Sequence, residues 1–414
     1  MEKQIRLRPR LQRLGIGCAS ALGVLAATQL AAAADCPTDL PNPIYGTGGS
    51  AFTPAIAQIA AKLAGNITVF WADPSGCNAI NAFAQSGYTI TGSTSYWTSA
   101  GTQVTCTLPT AGVPADFGNV NVDPTSCAGI TKIPDGVGDF IGPAQSTNLI
   151  VNKASDYTSI SAEAAYFVFG FGGAAGQVAP WTNDANVFVR SGLSAVHLLV
   201  SKAIGVPPTA FKGTLLTSNG QTVSAVSAGS FPNPPTGFVF DPLASIGYVS
   251  AQNADLNRAT LKTLAYQHTG QDCGYWPDST PEAFDKINVR DGRYYIWSYN
   301  HFLAKVDSNG EIINPNVRKF VGYITGAEAP PAGLDPKAII VSTYNIPLCA
   351  MHVKRDYDLG PLQCYAPPEP CDCQFEKLAT GTTACTACET EGSKTECAEV
   401  GAKSTCRNGY CEAY

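Results

Sequence analysis

Charged residues are scarce in this chain: Asp, Glu, Lys and Arg make up 14% of its 414 residues. Beyond residue 34 no segment gathers Lys and Arg into a stripe, and the formal net charge of the whole sequence is −6. Surfaces that bind nucleic acid or anionic membranes need clustered positive charge. The composition therefore predicts neither a nucleic-acid partner nor an anionic membrane surface.

The motifs of common hydrolases and nucleotide-binding enzymes are also missing. The sequence has no G-x-S-x-G elbow, no H-E-x-x-H and no P-loop lysine. It has four histidines, and none has the spacing of metal ligands: His197, His268, His301 and His352. We therefore predict no catalytic residue, no metal site and no enzymatic activity.

A glycine pattern near the N-terminus matches a motif of dinucleotide-binding proteins. Residues 46–51 match G-x-G-x-x-A after a predicted strand, as in dinucleotide-binding proteins. Residues 170–175 match the same pattern, which shows how easily a glycine-rich chain satisfies it. Export of the chain also disfavours a diffusible nicotinamide cofactor, so no cofactor is predicted.

Long hydrophobic runs are absent except at the N-terminus. The first 14 residues contain five basic residues and one acidic residue. An apolar run over 15–34 follows them and ends in four alanines. This pattern predicts a secretory signal peptide over 1–34, cleaved before Asp35, and a retained anchor helix is the alternative. Removing this segment changes the net charge from −6 to −10. No stable membrane insertion is expected after cleavage.

Cysteines indicate an oxidising compartment. Without Cys18 the exported chain keeps 14 of its 15 cysteines, an even number that favours disulfides. Eight of them lie between Cys364 and Cys411, which predicts a separate cysteine-rich C-terminal knob over 364–414. The closely spaced cysteines at 371–373 and 385–388 fit zinc ligation as an alternative to disulfides.

Apolar strands alternate with helical segments along the rest of the chain. This alternation predicts an α/β fold with mainly parallel sheets, in which ligands bind beyond the carboxyl ends of the strands. Residues 140–151 are extended and apolar enough to cross between two lobes, and 317–324 have helical spacing. About 330 residues precede the knob, more than one core usually serves, so two lobes are expected.

One stretch combines a strand, an arginine and the start of a helix. Residues 187–189 form the predicted strand, Arg190 ends it, and Ser194 precedes a helix with apolar residues at helical spacing. Helix N-termini and guanidinium groups both attract anions. The alternative is an ordinary strand-turn-helix unit in which Arg190 pairs with a surface carboxylate. Ser50 and Ser75 lie in similar turns, which would form an oxyanion site if the three converge.

In their order, these segments resemble the periplasmic phosphate-binding proteins of ABC importers, a family of type II periplasmic binding proteins. Residues 46–54, GTGGSAFTP, are similar to the family's first glycine loop, and 73–76, DPSG, to its second serine turn. Residues 116–118 match its DFG-like strand, and 190–196, RSGLSAV, stand where the family has an arginine before a helix opening. Residues 244–249, ASIGYV, resemble a late strand.

The resemblance covers residues 43–353 and implies a two-lobed periplasmic-binding-protein-like (type II) α/β fold with a small disulfide-rich C-terminal extension. It places lobe I at 35–145 and 255–363, and lobe II at 146–254. It also implies a set of ligand contacts: Ser50, Ala51, Ser75, Asn121, Arg190, Ser194 and Ala195. The membrane component of an ABC transporter is the implied protein partner.

Two positions depart from the family pattern. Asn121 stands where the family has an aspartate that accepts the proton of hydrogen phosphate, and Val196 replaces a threonine. An amide donates as well as accepts hydrogen bonds, so discrimination against fully ionised oxyanions should weaken. Losing a hydrogen bond to a charged group costs about 1.5 to 3 kcal/mol.

The sequence therefore predicts an exported protein, periplasmic or secreted, that captures a small oxyanion, with phosphate as the first candidate. The alternative belongs to another class: a secreted or surface interaction protein that keeps the fold but has a degenerate ligand site. Asn121 and Val196 favour the alternative, and Arg190 with its serine turns favours binding.

Overall fold

The computed structural model describes residues 34–413. All but the last residue of the predicted signal peptide over 1–34 lies outside the described residues, so the structure does not test that prediction. Over 34–413, no helix combines the length and apolar character needed to cross a membrane.

The described chain contains 17 strands and 11 α-helices, and the five strands between residues 93 and 161 follow one another without an α-helix between them. The strands are β1 (Ile44–Gly48), β2 (Val69–Ala72), β3 (Ser93–Trp97), β4 (Gln103–Thr107), β5 (Phe117–Val120), β6 (Val137–Asn152), β7 (Ser159–Ser161), β8 (Phe188–Arg190), β9 (Thr214–Leu216), β10 (Ile246–Ser250), β11 (Leu261–Thr263), β12 (Ala265–Gln267), β13 (Trp297–Lys305), β14 (Val353–Lys354), β15 (Gln363–Cys364), β16 (Thr405–Arg407) and β17 (Tyr410–Glu412). The α-helices are α1 (Thr53–Leu63), α2 (Asn78–Ala84), α3 (Ala162–Tyr166), α4 (Gly173–Gly176), α5 (Ala195–Ile204), α6 (Asn219–Ala228), α7 (Ala251–Leu256), α8 (Ile287–Arg290), α9 (Pro315–Thr325), α10 (Pro336–Ser342) and α11 (Asp372–Thr380).

The main sheet is mixed rather than mainly parallel. Its strand order is β10-β6-β13-β5-β1-β2-β3-β4, with β11 also paired to β6. Strand β1 runs parallel to β2 and β5, whereas β13 runs antiparallel to both β5 and β6. The prediction of mainly parallel sheets is therefore wrong. Buried strands of either kind read as continuous apolar runs, so sequence alone does not reveal that β13 returns to lie between β5 and β6.

Strand β6 links the two halves of the structure. Its first part pairs with β13 up to Ser146↔Trp297, and its second part pairs with β10 from Thr147↔Ser250 to Val151↔Ile246. The predicted extended crossing at 140–151 is confirmed, because those residues lie within this 16-residue strand.

Apolar side chains form two large cores. One packs α1, α9 and α10 against β1, β2 and β5, with Phe52, Phe117 and Phe320 at its centre. The other packs α3 and α5 against β10 and the second part of β6, with Phe169 and Tyr248 fully buried. The two-lobed α/β fold is thus built on two cores. Because residues 264–297 also contribute to the second core, the lobe boundaries drawn from the sequence remain a prediction.

Local sequence signals account for the helices. In α1 a proline stands in the first turn, and Ile56, Ile59, Ala60 and Leu63 are buried at helical spacing. The predicted helix over 317–324 is confirmed as α9, where the side chain of Asn314 caps the N-terminus.

Six disulfides stabilise the described chain, three of them confined to the C-terminal extension. The pairs are Cys36–Cys106, Cys77–Cys127, Cys349–Cys371, Cys373–Cys385, Cys388–Cys406 and Cys397–Cys411. Cys273 and Cys364 are free and exposed, so the expectation of full pairing is not met. The cysteines proposed as an alternative zinc site are all taken up in disulfides, which disfavours that alternative.

The C-terminal extension is attached to the body rather than separate from it. The Cys349–Cys371 disulfide joins them, and Phe375 of α11 lies in the second apolar core. Arg290, which is fully buried, forms an ion pair with Asp372 at the start of α11. The disulfide-rich extension is confirmed, but its predicted independence as a knob is wrong.

We expect the double change Cys349→Ser, Cys371→Ser to lower the free energy of unfolding by about 3 kcal/mol. The reason is that the loop between residues 349 and 371 is no longer closed by a covalent bond, which leaves the unfolded chain more freedom. Urea unfolding of the oxidised protein measures this effect. Cys273→Ser is the control, since that thiol has no disulfide partner and its loss should change the value by less than about 0.5 kcal/mol. Equal stabilities of the two variants would contradict the structural role of this disulfide.

Candidate functional site

Five chain segments converge on one small cavity. They follow β1, β2, β5, β8 and β9, and the cavity between them has a volume of about 120 Å³. Its lining includes all seven residues predicted as ligand contacts: Ser50, Ala51, Ser75, Asn121, Arg190, Ser194 and Ala195. The structure therefore brings together side chains that are up to 145 residues apart in the sequence.

The volume limits what the cavity can hold. Pockets for drug-sized ligands are about 300 to 1,000 Å³. The cavity suits a small ion of a few atoms and is too small for a nucleotide. A larger cavity, about 560 Å³, lies elsewhere, between α9, α10 and the C-terminal extension, and contains none of the predicted residues.

Arg190 is the only basic residue in the cavity lining, and it is only 7% exposed. Its Nη1 donates to Oδ1 of Asn219 (2.8 Å) and its Nη2 donates to the carbonyl of Thr217 (3.0 Å). Among the described residues no carboxylate forms an ion pair with Arg190, and its Nε has no hydrogen-bond partner. Burial lowers the pKa of Arg190 to about 10, so the guanidinium stays charged at neutral pH. An unpaired buried cation is costly, and an anionic ligand would reduce that cost.

A chain of hydrogen bonds holds the end of β8 in place. The amide of Arg190 donates to the hydroxyl of Tyr248, which contacts Nδ1 of His197 at 2.6 Å. Nε2 of His197 lies 2.8 Å from the carbonyl of Pro208 and must donate to it, because a carbonyl only accepts. Burial lowers the pKa of His197, which keeps the ring neutral. His197 is therefore a buried support for Arg190 and does not line the cavity.

Backbone amides supply further donors. Ala195 and Val196 are the first residues of α5, and their amides have no acceptor among residues 34–413. Ser194 occupies the N-cap position, but its hydroxyl makes no capping hydrogen bond and is left facing the cavity. In the turn after β1, the amides of Ser50 and Ala51 likewise have no acceptor in the described part of the chain. These groups present partial positive charge toward the same space.

Ser75 also lines the cavity, but its hydroxyl is already engaged. It donates to the carbonyl of Leu193 at 2.5 Å, and the amide of Cys77 donates to the same carbonyl. A Cβ on Gly76 would lie only 3.0 Å from the Cβ of Ala195, so a side chain at this position would require the two turns to move slightly apart. The turn after β2 thus contacts the turn before α5 directly. Ser75 can donate to a ligand only if it leaves Leu193.

Two lining residues bear on ligand charge. Asp73 is the only carboxylate among the lining residues; it is exposed and accepts a hydrogen bond from the hydroxyl of Thr53. Asn121 is only 4% exposed, and its Nδ2 donates to Oε1 of Gln145 (3.1 Å). The interior of the cavity therefore contains one guanidinium, neutral donors and two neutral amides, those of Asn121 and Asn219.

The turn at 217–219 also lines the cavity and is not among the ligand contacts predicted from the sequence. Strand β9 pairs in parallel with β8, so that Leu216 lies beside Arg190 and the following turn reaches the guanidinium. A local signal was available: Ser218 caps α6 by accepting from the amide of Gln221, and the Gln221 side chain accepts from Thr217. S-x-x-Q is the sequence pattern of a capping box, although here the Gln221 side chain accepts from Thr217, one residue before the N-cap.

No family model matches the chain, and no curated protein matches it. Solved structures do. A protein from Clostridium perfringens, described as a phosphate ABC transporter substrate-binding protein and solved with bound phosphate, is 11% identical, with a TM-score of 0.50 over 74% of this chain and 100% of that chain.

Two further solved structures show weaker similarity. An ABC-type phosphate transport receptor from Vibrio cholerae is 13% identical, with a TM-score of 0.44 over 73% of this chain and 99% of that chain. The high-affinity periplasmic phosphate-binding protein PfluDING, solved with phosphate, is 14% identical, with a TM-score of 0.44 over 74% and 90%. Sequence identities this low establish similarity of fold alone. The chain therefore shares the fold of periplasmic binding proteins.

Proposed function

We propose that this protein is an exported solute-binding protein that captures a small oxyanion, with phosphate as the first candidate, in the cavity at Arg190. The observation that carries the proposal is a buried guanidinium that has no carboxylate partner and lines a cavity of about 120 Å³. The unpaired amides of Ala51 and Ala195 and the hydroxyl of Ser194 are placed to share the negative charge.

The physical setting supports tight binding. Buried donors that are already oriented lose little freedom when a ligand arrives, and a site with little water strengthens charged hydrogen bonds. One neighbour of known structure, the Clostridium perfringens protein, is described as a phosphate ABC transporter substrate-binding protein with bound phosphate. On this proposal the partner is an ABC transporter membrane component, and the six disulfides suit a periplasmic or extracellular location.

Isothermal titration of phosphate into the purified, oxidised protein, after bound phosphate has been removed, tests the proposal. We expect saturable binding of one phosphate per chain with a dissociation constant below about 10 μM, corresponding to roughly 7 kcal/mol. Chloride at the same ionic strength is the control. The absence of a phosphate signal, with sulfate and arsenate also silent, would overturn the proposal.

One observation favours the second candidate, an interaction protein. Three aromatic rings at the C-terminal end of α3, those of Tyr166, Phe167 and Phe171, contact one another at centroid distances of 5.4 to 5.5 Å. Each ring residue is 37–47% exposed, and grouped exposed aromatics are typical of protein interfaces. Failure of all three anions to bind would direct attention to this surface.

A further inference from the structure

Asn121 belongs to a relay of buried amides. Its Nδ2 donates to Oε1 of Gln145, and Nε2 of Gln145 donates both to the carbonyl of Ala51 (3.1 Å) and to Oδ1 of Asn345 (2.8 Å). Nδ2 of Asn345 in turn donates to the carbonyl and the hydroxyl of Thr343. Asn121, Gln145 and Asn345 are each at most 4% exposed.

The two backbone carbonyls fix the direction of the whole relay. A carbonyl oxygen only accepts hydrogen bonds, so the NH2 group of Gln145 must face Ala51 and the NH2 group of Asn345 must face Thr343. The oxygen of Gln145 is therefore directed to Asn121. Asn121 must therefore turn its own NH2 group toward this oxygen, because two amide oxygens facing each other would repel.

This leaves Oδ1 of Asn121 as the atom on the cavity side. It has no hydrogen-bond partner among residues 34–413, and it lies beside the turns at Gly49 and Gly76, 3.8 Å from where a Cβ on Gly49 would be. Both glycines line the cavity. An amide at this position can in principle donate as well as accept, but the relay restricts the cavity side of Asn121 to accepting.

Building on the proposed function, we propose that Gln145 is a positioning residue that sets the selectivity of the cavity for a protonated oxyanion. With Gln145 in place, Asn121 accepts the proton of hydrogen phosphate or hydrogen arsenate. Sulfate carries no proton at neutral pH, so one of its oxygens would face Oδ1 without a hydrogen bond. Asn121 thus performs the selection with a neutral oxygen, and the relay takes the place of a fixed negative charge.

The test compares phosphate and sulfate affinities by isothermal titration at pH 8 for three proteins. We expect wild type to bind phosphate about 10- to 150-fold more tightly than sulfate, the range expected for one hydrogen bond to a charged group. In Gln145→Met the relay is lost and Asn121 is free to turn its NH2 group to the ligand, so the ratio should fall to within about threefold of unity. Gln252→Met is the matched control: Gln252 is buried, its Oε1 has no partner, and it lies outside the relay and the cavity lining.

Asn121→Leu covers the case in which Gln145→Met fails to fold. It removes the acceptor while Gln145 keeps its bond to Ala51, so phosphate affinity should fall to the level of sulfate affinity, with sulfate affinity little changed. Equal binding of both anions by wild type would overturn the selectivity inference and leave the proposed function standing. An unchanged ratio of phosphate to sulfate affinity in Gln145→Met would also overturn the selectivity inference. Where that variant does not fold, an unchanged ratio in Asn121→Leu would overturn it. Binding of neither anion by wild type would overturn the proposed function itself.

Discussion

Replacing Arg190 by methionine should weaken phosphate binding at least about 30-fold. The guanidinium is the one buried positive charge at the cavity, and removing one side of a buried, hydrogen-bonded charge pair costs about 2 to 5 kcal/mol. The fold should persist, because Arg190→Met also removes the desolvation cost of a cation without a carboxylate partner. Titration of phosphate measures the affinity, and thermal unfolding followed by circular dichroism checks the fold.

Arg318→Met is the control for Arg190→Met. Arg318 is about half exposed, pairs only with Glu311 and Glu328 at the surface, and is not part of the cavity lining. Its loss should leave phosphate affinity unchanged. A folded Arg190→Met variant that binds phosphate as tightly as Arg318→Met would show that the cavity does not use Arg190 for binding.

Replacing Lys286 by methionine should lower the free energy of unfolding by about 3 to 5 kcal/mol. The Lys286 side chain is 2% exposed, and its Nζ lies 2.8 Å from carboxylate oxygens of both Asp255 and Asp278. Burial alone lowers the pKa of Lys286, but the two carboxylates outweigh this effect and raise the pKa above its ordinary value. Removing the lysine leaves two buried carboxylates with Arg258 as their remaining cation.

Urea unfolding followed by tryptophan fluorescence measures the effect of Lys286→Met. Lys319→Met is the matched control, since Lys319 is exposed and its replacement should cost less than about 0.5 kcal/mol. The ion pairs of Lys286 with Asp255 and Asp278 connect the loop at 278–286 to α7. These residues are distant in sequence from the cavity residues at 50 and 75. Equal stability of the two variants would mean that this buried cluster contributes nothing to the fold.

The parts of the site that the sequence predicted are those encoded locally. The apolar run of β8, the turn after Arg190 and the helical spacing of α5 lie within 20 consecutive residues, so the strand, the arginine and the helix opening follow from short-range patterns. The same holds for Ser50, before α1. The convergence of these turns was inferred from the resemblance, and the structure places them around one cavity.

The parts that were missed depend on pairing between distant segments. Asn219 reaches Arg190 only because β9 lies beside β8, and Gln145 reaches Asn121 and Asn345 across 24 and 200 residues. A signal was present in the buried polar residues 145–148, which interrupt the apolar stretch over 140–151, since buried polar groups need partners. The partners of these residues depend on which strands are neighbours in the sheet and on their directions. The sequence predicted mainly parallel strands, whereas the main sheet is mixed.

The most direct test of the central claim is a crystal structure of the oxidised protein grown with saturating phosphate. We predict tetrahedral density in the cavity, within hydrogen-bonding distance of the Arg190 guanidinium, the Ser194 hydroxyl and the amides of Ala51 and Ala195. An empty cavity at saturating phosphate, or phosphate bound only at another position on the protein, would contradict the account.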